Sequence, residues 1–151
     1  MFDEYENYQG LVLRHLIVGA GVPITLAPFV TRGRVSAFIL NFKIGVFVKH
    51  SSKRMSPWRF TFHIDQVADL LDLEDAYFTS FVAFVCGSDG LVSLDIGTVH
   101  TLVKFDDKEQ AWIRITRNPR SMYDVAGNRA ELPKKTARGP GPIISAVISD
   151  V

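Results

Sequence analysis

The chain has 151 residues, of which 47% are hydrophobic and 22% are charged, and its formal net charge is +1. This length is typical of one domain with one core, and the apolar content excludes a disordered chain. No run approaches the ~18 apolar residues of a membrane span, and the acidic start lacks the features of a signal peptide, so we expect a cytoplasmic protein with no membrane partner.

The first half of the chain predicts one helix and then four strands. Apolar residues at helical spacing over about 3–19 predict an amphipathic helix. The stretch 24–29 follows Pro23 and contains Pro28, and because proline is confined to sheet edges it is predicted to be an edge strand. The β-rich runs 35–42 and 45–49 are close enough to form a hairpin, and the alternation over 58–62 predicts another strand.

The second half begins with a predicted helix that Asp65 caps. Its inward residues are predicted to be Val67, Ala68 and Leu71, and its mostly outward residues Asp69, Asp72, Glu74 and Asp75. The near-continuous apolar run Tyr77–Cys86 is typical of a central strand buried on both faces, in which Cys86 acts as a small buried hydrophobe. A short strand over 91–94, a short helix from Asp95 to about Lys104 and a strand over 111–116 follow.

The last part of the chain is polar, basic and rich in Gly and Pro. Residues 117–142 predict irregular structure with one hairpin near 123–128, and Ile143 to Ile148 predict either a last strand or a partner-docking tail. The whole pattern predicts an α/β (α+β) fold in a single domain, with a mixed central β-sheet flanked by helices. Residues 1–116 form the expected core and residues 117–151 a basic extension.

Charge is sorted along the chain rather than evenly mixed. Residues 31–63 contain seven Lys or Arg and no Asp or Glu. Residues 64–110 contain 2 basic and 10 acidic residues, and residues 111–142 contain 7 basic and 2 acidic residues. A local excess of cations without acids is typical of a surface that binds a polyanion such as nucleic acid.

The segment 49–59 combines cations, hydroxyls and an indole, which suits phosphate oxygens and exposed bases. The residues predicted to bind nucleic acid are Lys49, Ser51, Lys53, Arg54, Trp58 and Arg59. Lys49 is equally interpretable as a solvated strand end, and Trp58 as a core residue. The cations after residue 116 either extend the same surface or form an ordinary solvated tail.

The order of helix, strand, hairpin, strand, helix and buried strand, with the residues Val46-Phe47-Val48-Lys49-His50-Ser51, resembles the core of the PD-(D/E)XK nuclease superfamily over about residues 3–95. In that family a helix bears a Glu and a strand bears an Asp, and the next strand ends in an acid, one variable residue and a Lys. Lys49 stands in the place of that lysine and Glu6 in the place of the helix Glu, so these two are the catalytic candidates. The resemblance implies a restriction-endonuclease-like core, a nucleic-acid partner and Mg²⁺.

The same strands lack the carboxylates that Mg²⁺ requires. Phe47 stands in the place of the acid, and the preceding strand offers Asn41 but no Asp. Mg²⁺ prefers oxygen ligands in near-octahedral geometry. We therefore predict no metal site and no cofactor, unless carboxylates enter from elsewhere in the chain. The residues that would supply them are Glu4, Glu6, Asp89 and Asp95.

The leading prediction is a non-catalytic nuclease-like domain that binds the nucleic-acid backbone through the segment 49–59, as an accessory subunit. One alternative is a protein-interaction module or a salt-sensitive homo-oligomer, in which the basic segment docks on an acidic surface such as the Asp65 to Asp75 helix of a second copy. The other is a Mg²⁺-dependent nuclease with displaced acids.

Overall fold

A computed structural model describes residues 2–106 and 110–149. Within these ranges the chain forms four helices and eight strands, and the predicted α/β class with a mixed central sheet flanked by helices is confirmed. The helices are α1 (Glu4–Ala20), α2 (Ile64–Ala76), α3 (Ile96–Leu102) and α4 (Gly141–Ser149). The strands are β1 (Leu26–Thr31), β2 (Arg34–Leu40), β3 (Ile44–Ser51), β4 (Trp58–Thr61), β5 (Thr79–Cys86), β6 (Gly90–Asp95), β7 (Trp112–Arg117) and β8 (Tyr123–Gly127).

Five strands form sheet A in the order β1-β2-β3-β5-β6. Antiparallel pairing joins β1, β2 and β3, which confirms the predicted edge strand and hairpin. β5 lies parallel to β3, with Ser51 opposite Cys86, so both strands end at the same edge of the sheet. Ser80 to Cys86 are all buried, which confirms the central strand and the buried cysteine.

Two hydrophobic cores lie on opposite faces of sheet A. α1 and α4 cover one face, where Val12 and Leu16 pack with Val46 and Val147. The other face is covered by α2, α3 and sheet B, a second sheet in the order β4-β7-β8. There Phe60 of β4 meets Phe84 of β5 with 5.0 Å between ring centroids. Sheet B thus buries one face against sheet A and turns its other face outward.

α1 matches its prediction in position, and both of its ends are capped. The Asp3 carboxylate accepts a hydrogen bond from the Glu6 amide at 2.8 Å, which satisfies a free N–H group of the first turn. The helix ends before Gly21, whose φ of 65° lies in the left-handed region that favours glycine.

α2 starts two residues earlier than predicted, and the face that it turns to the core differs from the predicted one. His63, not Asp65, is the N-cap, and its amide donates to the Gln66 side chain at 3.0 Å. Asp69, predicted outside, is 1% exposed, whereas Leu71, predicted inside, is 39% exposed. Two arginines from the β1–β2 turn and β2 reach Asp69 and compensate its burial. The prediction was right for Val67, which packs against the core, and for the exposed Asp72, but wrong for Asp69 and Leu71.

The predicted last strand is the helix α4. Its β-branched residues favour a strand locally, but Pro142 suits the first turn of a helix, and Ile143 and Val147, four residues apart, lie on one buried face. α4 approaches α1 so closely that a Cβ at Gly19 would lie 2.5 Å from Ile144 Cδ1. Residues after 116 therefore contribute to both cores, through α4 and through β8.

Candidate nucleic-acid interface

Lys49 lies at the end of β3 with its side chain inside the protein. It is 8% exposed, and its Nζ donates to the Thr61 carbonyl at 2.8 Å and to Gln66 Oε1 at 2.9 Å. The ammonium also lies 5.2 Å from the centroid of the Phe62 ring. Burial lowers the pKa of Lys49 to about 8. This arrangement links β3, β4 and α2 and leaves the ammonium poorly placed for contact with a polyanion.

The residues around Lys49 do not fit a Mg²⁺ site. Both acceptors of its ammonium are neutral oxygens, and Phe47 is 2% exposed within the core against sheet B. Glu6 is exposed on α1, one turn from the N-cap. Among residues 2–106 and 110–149, no group of three or more His, Cys, Asp or Glu side chains is placed to hold a metal ion.

The other carboxylates considered for a displaced metal site serve separate structural roles. Asp95 caps α3 by accepting from the Thr98 amide at 3.1 Å. Asp89, in the β5–β6 turn, accepts from Arg117 at 2.7 Å and from the Tyr123 hydroxyl. Glu4 lies 4.0 Å from the His50 ring. These contacts keep the acids in different parts of the fold.

Part of the basic stretch is neutralised within the chain. Arg32 Nη1 lies 2.6 Å from Asp69 and 3.0 Å from Asp72, and Arg34 Nη2 lies 2.8 Å from Asp69. Burial of Asp69 raises its pKa, but hydrogen bonds from Arg34, Thr31 and Arg32 outweigh burial and hold the pKa below its usual value. Two of the seven cations in 31–63 thus pair with the acidic helix α2 of the same chain.

The six residues predicted to bind nucleic acid separate into an inner and an outer group. Trp58 is 2% exposed, with its Nε1 donating to the Lys53 carbonyl at 2.8 Å, so both Trp58 and Lys49 are corrections to the prediction. Ser51 is half-buried, and its hydroxyl accepts a long hydrogen bond, 3.4 Å, from the Lys53 amide. The outer group consists of Lys53, Arg54 and Arg59, which are exposed.

The outward face of sheet B brings Arg59 together with two residues that the prediction did not include. Arg59 on β4 lies directly opposite Arg114 on β7, and the two guanidinium carbons lie 4.6 and 5.9 Å from the centroid of the Trp112 ring. Within the described chain neither arginine forms an ion pair with a carboxylate. Like charges opposite each other in a sheet are unfavourable, whereas stacking on an indole orients a guanidinium and leaves its N–H groups available.

A groove of about 460 Å³ continues this surface at one end of sheet B. Arg54 lies on its wall beside Arg117, and Thr116, which follows Arg114 on the same face of β7, also lines it. Met55 and Pro57 add apolar surface. The groove thus joins the loop before β4, which carries Arg54, to the loop after β7.

Trp112 and Arg114 were missed because their importance depends on strand pairing. The strand over 111–116 was predicted from its alternation, and that alternation already places Trp112, Arg114 and Thr116 on one face. Arg59 and Thr61 form the corresponding polar face of β4. The available signal was therefore two alternating strands that each carry an arginine on the polar side.

Comparison with protein-family models, curated proteins and solved structures finds no match. The site geometry alone therefore supports a functional proposal. Of the helices in the part of the chain that the structure describes, none has the length and apolar content needed to span a bilayer.

Proposed function

We propose that this chain is a PD-(D/E)XK-like domain that binds nucleic acid without cleaving it, as an accessory subunit, and that the contact surface is the outward face of sheet B. The observation that carries the proposal is the placement of Arg59 and Arg114 on one indole, with no carboxylate paired to either within the described residues. Phosphate oxygens are the acceptors that such pre-oriented guanidinium groups bind best.

The order of elements supports the family part of the proposal. α1, the β1–β3 meander, β4, α2 and the parallel strand β5 follow one another in the order on which the resemblance rests. The absence of cleavage is proposed because Phe47 lies in the core and Lys49 binds neutral oxygens. A metal-assisted reaction would need oxygen ligands at that strand end.

The shape of the surface favours single-stranded nucleic acid. Beside the indole and its two arginines the outward face carries short side chains, because Thr61 lies opposite Trp112 and Ala126 lies opposite Arg114. Base stacking on an aromatic side chain contributes about 1–3 kcal/mol per base, and cations beside it engage the backbone. Lys53 and Arg54, exposed in the loop before β4, extend the positive surface along a strand of several nucleotides.

The homo-oligomer alternative is weakened by the ion pairs inside the chain. Arg32 and Arg34 already bind Asp69 and Asp72, so the basic stretch and the acidic helix satisfy each other partly within one molecule. Docking on the α2 helix of a second copy would have to use the exposed cations that the nucleic-acid proposal assigns to phosphate. Light scattering across a salt series, with and without nucleic acid, separates the two.

The test is fluorescence anisotropy of a labelled 12-nucleotide single strand over 50–200 mM salt. Four cations contact phosphate in the proposal, Lys53, Arg54, Arg59 and Arg114, so the slope of log K against log salt should be about −3, equivalent to about 50-fold weaker binding across this range. The double variant Arg59→Gln with Arg114→Gln should lose about half of that slope. The matched control is Arg14→Gln with Lys43→Gln, which removes the same charge from exposed positions on α1 and in the β2–β3 turn of sheet A.

The two tryptophans provide a second readout. In a Trp58→Phe variant Trp112 becomes the sole tryptophan, and its fluorescence should be quenched when a base stacks on it. The same variant titrated with a duplex of equal length should show weaker quenching. Equal binding by the arginine double variant and the control, together with an unquenched Trp112, would overturn the proposal.

A further inference from the structure

A groove between α1 and the β5–β6 turn has none of the sheet B cations in its lining, and Asp89 lies between it and the groove beside sheet B. The volume of the groove at α1 is about 720 Å³, within the range of about 300–1,000 Å³ that is usual for small-molecule sites. One wall is a single face of α1, formed by Tyr8, Leu11 and His15. The opposite wall is the β5–β6 turn, and Arg138 with Gly139 closes the groove.

The apolar wall contains a ring whose position is held by stacking. The rings of Tyr8 and His50 are stacked, with 4.5 Å between centroids and 16° between planes. Leu11, 36% exposed, follows Tyr8 by one helical turn, and Leu91 contributes from β6. A flat, unsaturated ring would therefore find an aromatic and aliphatic surface that is already formed.

Arg138 lies across the start of β6, over Gly90, and any side chain at position 90 would displace the arginine. A Cβ at Gly90 would lie 2.4 Å from Arg138 Cδ, so the absence of a side chain there makes room for the arginine. Arg138 Nη1 donates to the Asp89 carbonyl at 3.1 Å, and the next residue, Gly139, donates its amide to the Leu91 carbonyl at 2.7 Å. The guanidinium thus lies at the groove, bonded to the β5–β6 turn.

The charges around the groove favour an anionic ligand. In the described chain no carboxylate pairs with Arg138, whereas Asp89, the acid that lines the groove, is compensated by Arg117 at 2.7 Å and by the Tyr123 hydroxyl. His15 and Ser88 add polar groups to the lining of the groove. Such groups suit the hydroxyls of a sugar that joins a ring to an anion.

We infer that the groove between α1 and the β5–β6 turn binds a nucleoside monophosphate, with the base against Tyr8 and Leu11 and the phosphate on Arg138. This site is separate from the proposed nucleic-acid interface, because its lining contains none of the cations on the outward face of sheet B. A charge-assisted contact to phosphate is the main source of selectivity over the uncharged nucleoside.

The test is isothermal titration calorimetry of the full chain with AMP and with adenosine. AMP should bind at least tenfold more tightly than adenosine, because a hydrogen bond to a charged group contributes about that factor or more. Arg138→Gln should reduce AMP binding to the adenosine level, and Gly90→Ala should weaken it by displacing the guanidinium. Arg129→Gln, an exposed arginine that does not line the groove, is the matched control and should leave AMP binding unchanged.

Two results would overturn the inference. One is equal affinity for AMP and adenosine, or no AMP binding at millimolar concentration. The other is loss of AMP binding in the Arg59→Gln with Arg114→Gln variant while Arg138→Gln binds as the wild type, which would place the ligand on sheet B. Thermal melts of each variant check that the fold is retained. Failure of single-strand binding with retained AMP binding would reject only the proposed function.

Discussion

Burial of the Lys49 ammonium makes stability depend on pH above neutrality, and Lys49→Met should remove that dependence. The pKa of Lys49 is lowered to about 8 by burial, whereas a lysine in an unfolded chain titrates near about 10.4. At pH 7 both states are protonated, and the folded state carries the cost of a buried charge. Between about pH 8 and pH 10.4 the unfolded chain binds more protons, so the Lys49 contribution to the free energy of unfolding rises with pH and then levels off.

The expected size follows from the pKa difference. A difference of about two pKa units corresponds to about 2–3 kcal/mol. The variant also leaves the Thr61 carbonyl without its Lys49 donor, but that loss is the same at every pH and only offsets the curve.

The assay is urea unfolding, followed by circular dichroism, at pH 7, 8, 9 and 10. The free energy of unfolding of the wild type minus that of Lys49→Met should increase by about 2–3 kcal/mol from pH 7 to pH 10. Lys53→Met removes an exposed lysine from the neighbouring loop and serves as the control, for which the difference should stay flat. A flat difference for Lys49→Met as well would refute the argument that its ammonium is charged and buried at pH 7.

Two further predictions concern carboxylates that hold elements together. Asp69→Asn should lower the free energy of unfolding by about 1–2 kcal/mol at pH 7, because the buried acid binds two half-exposed arginines. This loss of stability should shrink as the pH falls below about 4, because a carboxylate with a lowered pKa stabilises the fold only while it is ionised. Urea unfolding of Asp72→Asn, an exposed neighbour, gives the comparison, and equal losses in both variants would contradict the prediction. Asp89→Asn should lower the free energy of unfolding by about 1–3 kcal/mol, because Asp89 accepts hydrogen bonds from Arg117 and Tyr123. The control is Asp75→Asn at an exposed position. Equal stability of these two variants would show that other contacts hold the β5–β6 turn.

Local sequence patterns were enough to locate most elements of the fold. Period-2 and period-3.6 patterns act over a few residues, so the α1 helix, the β2–β3 hairpin and the buried strand β5 were predicted with nearly their observed bounds. The same patterns failed for α4, because β-branched residues favour a strand unless a helix partner such as α1 covers them. They also failed for Asp69, whose burial depends on arginines more than 30 residues away in the chain.

The zoning of charge was visible in the sequence, but the use of each cation was not. Arg32 and Arg34 pair with α2, and Lys49 is enclosed by β4 and α2, so three of the seven cations in 31–63 serve the fold. Arg59 gains its partner residues only when β4 pairs with β7, which places Arg114 and Trp112 beside it. Composition records how many charges a segment carries, whereas long-range strand pairing and burial decide which of them face water, because both depend on contacts between segments far apart in the chain.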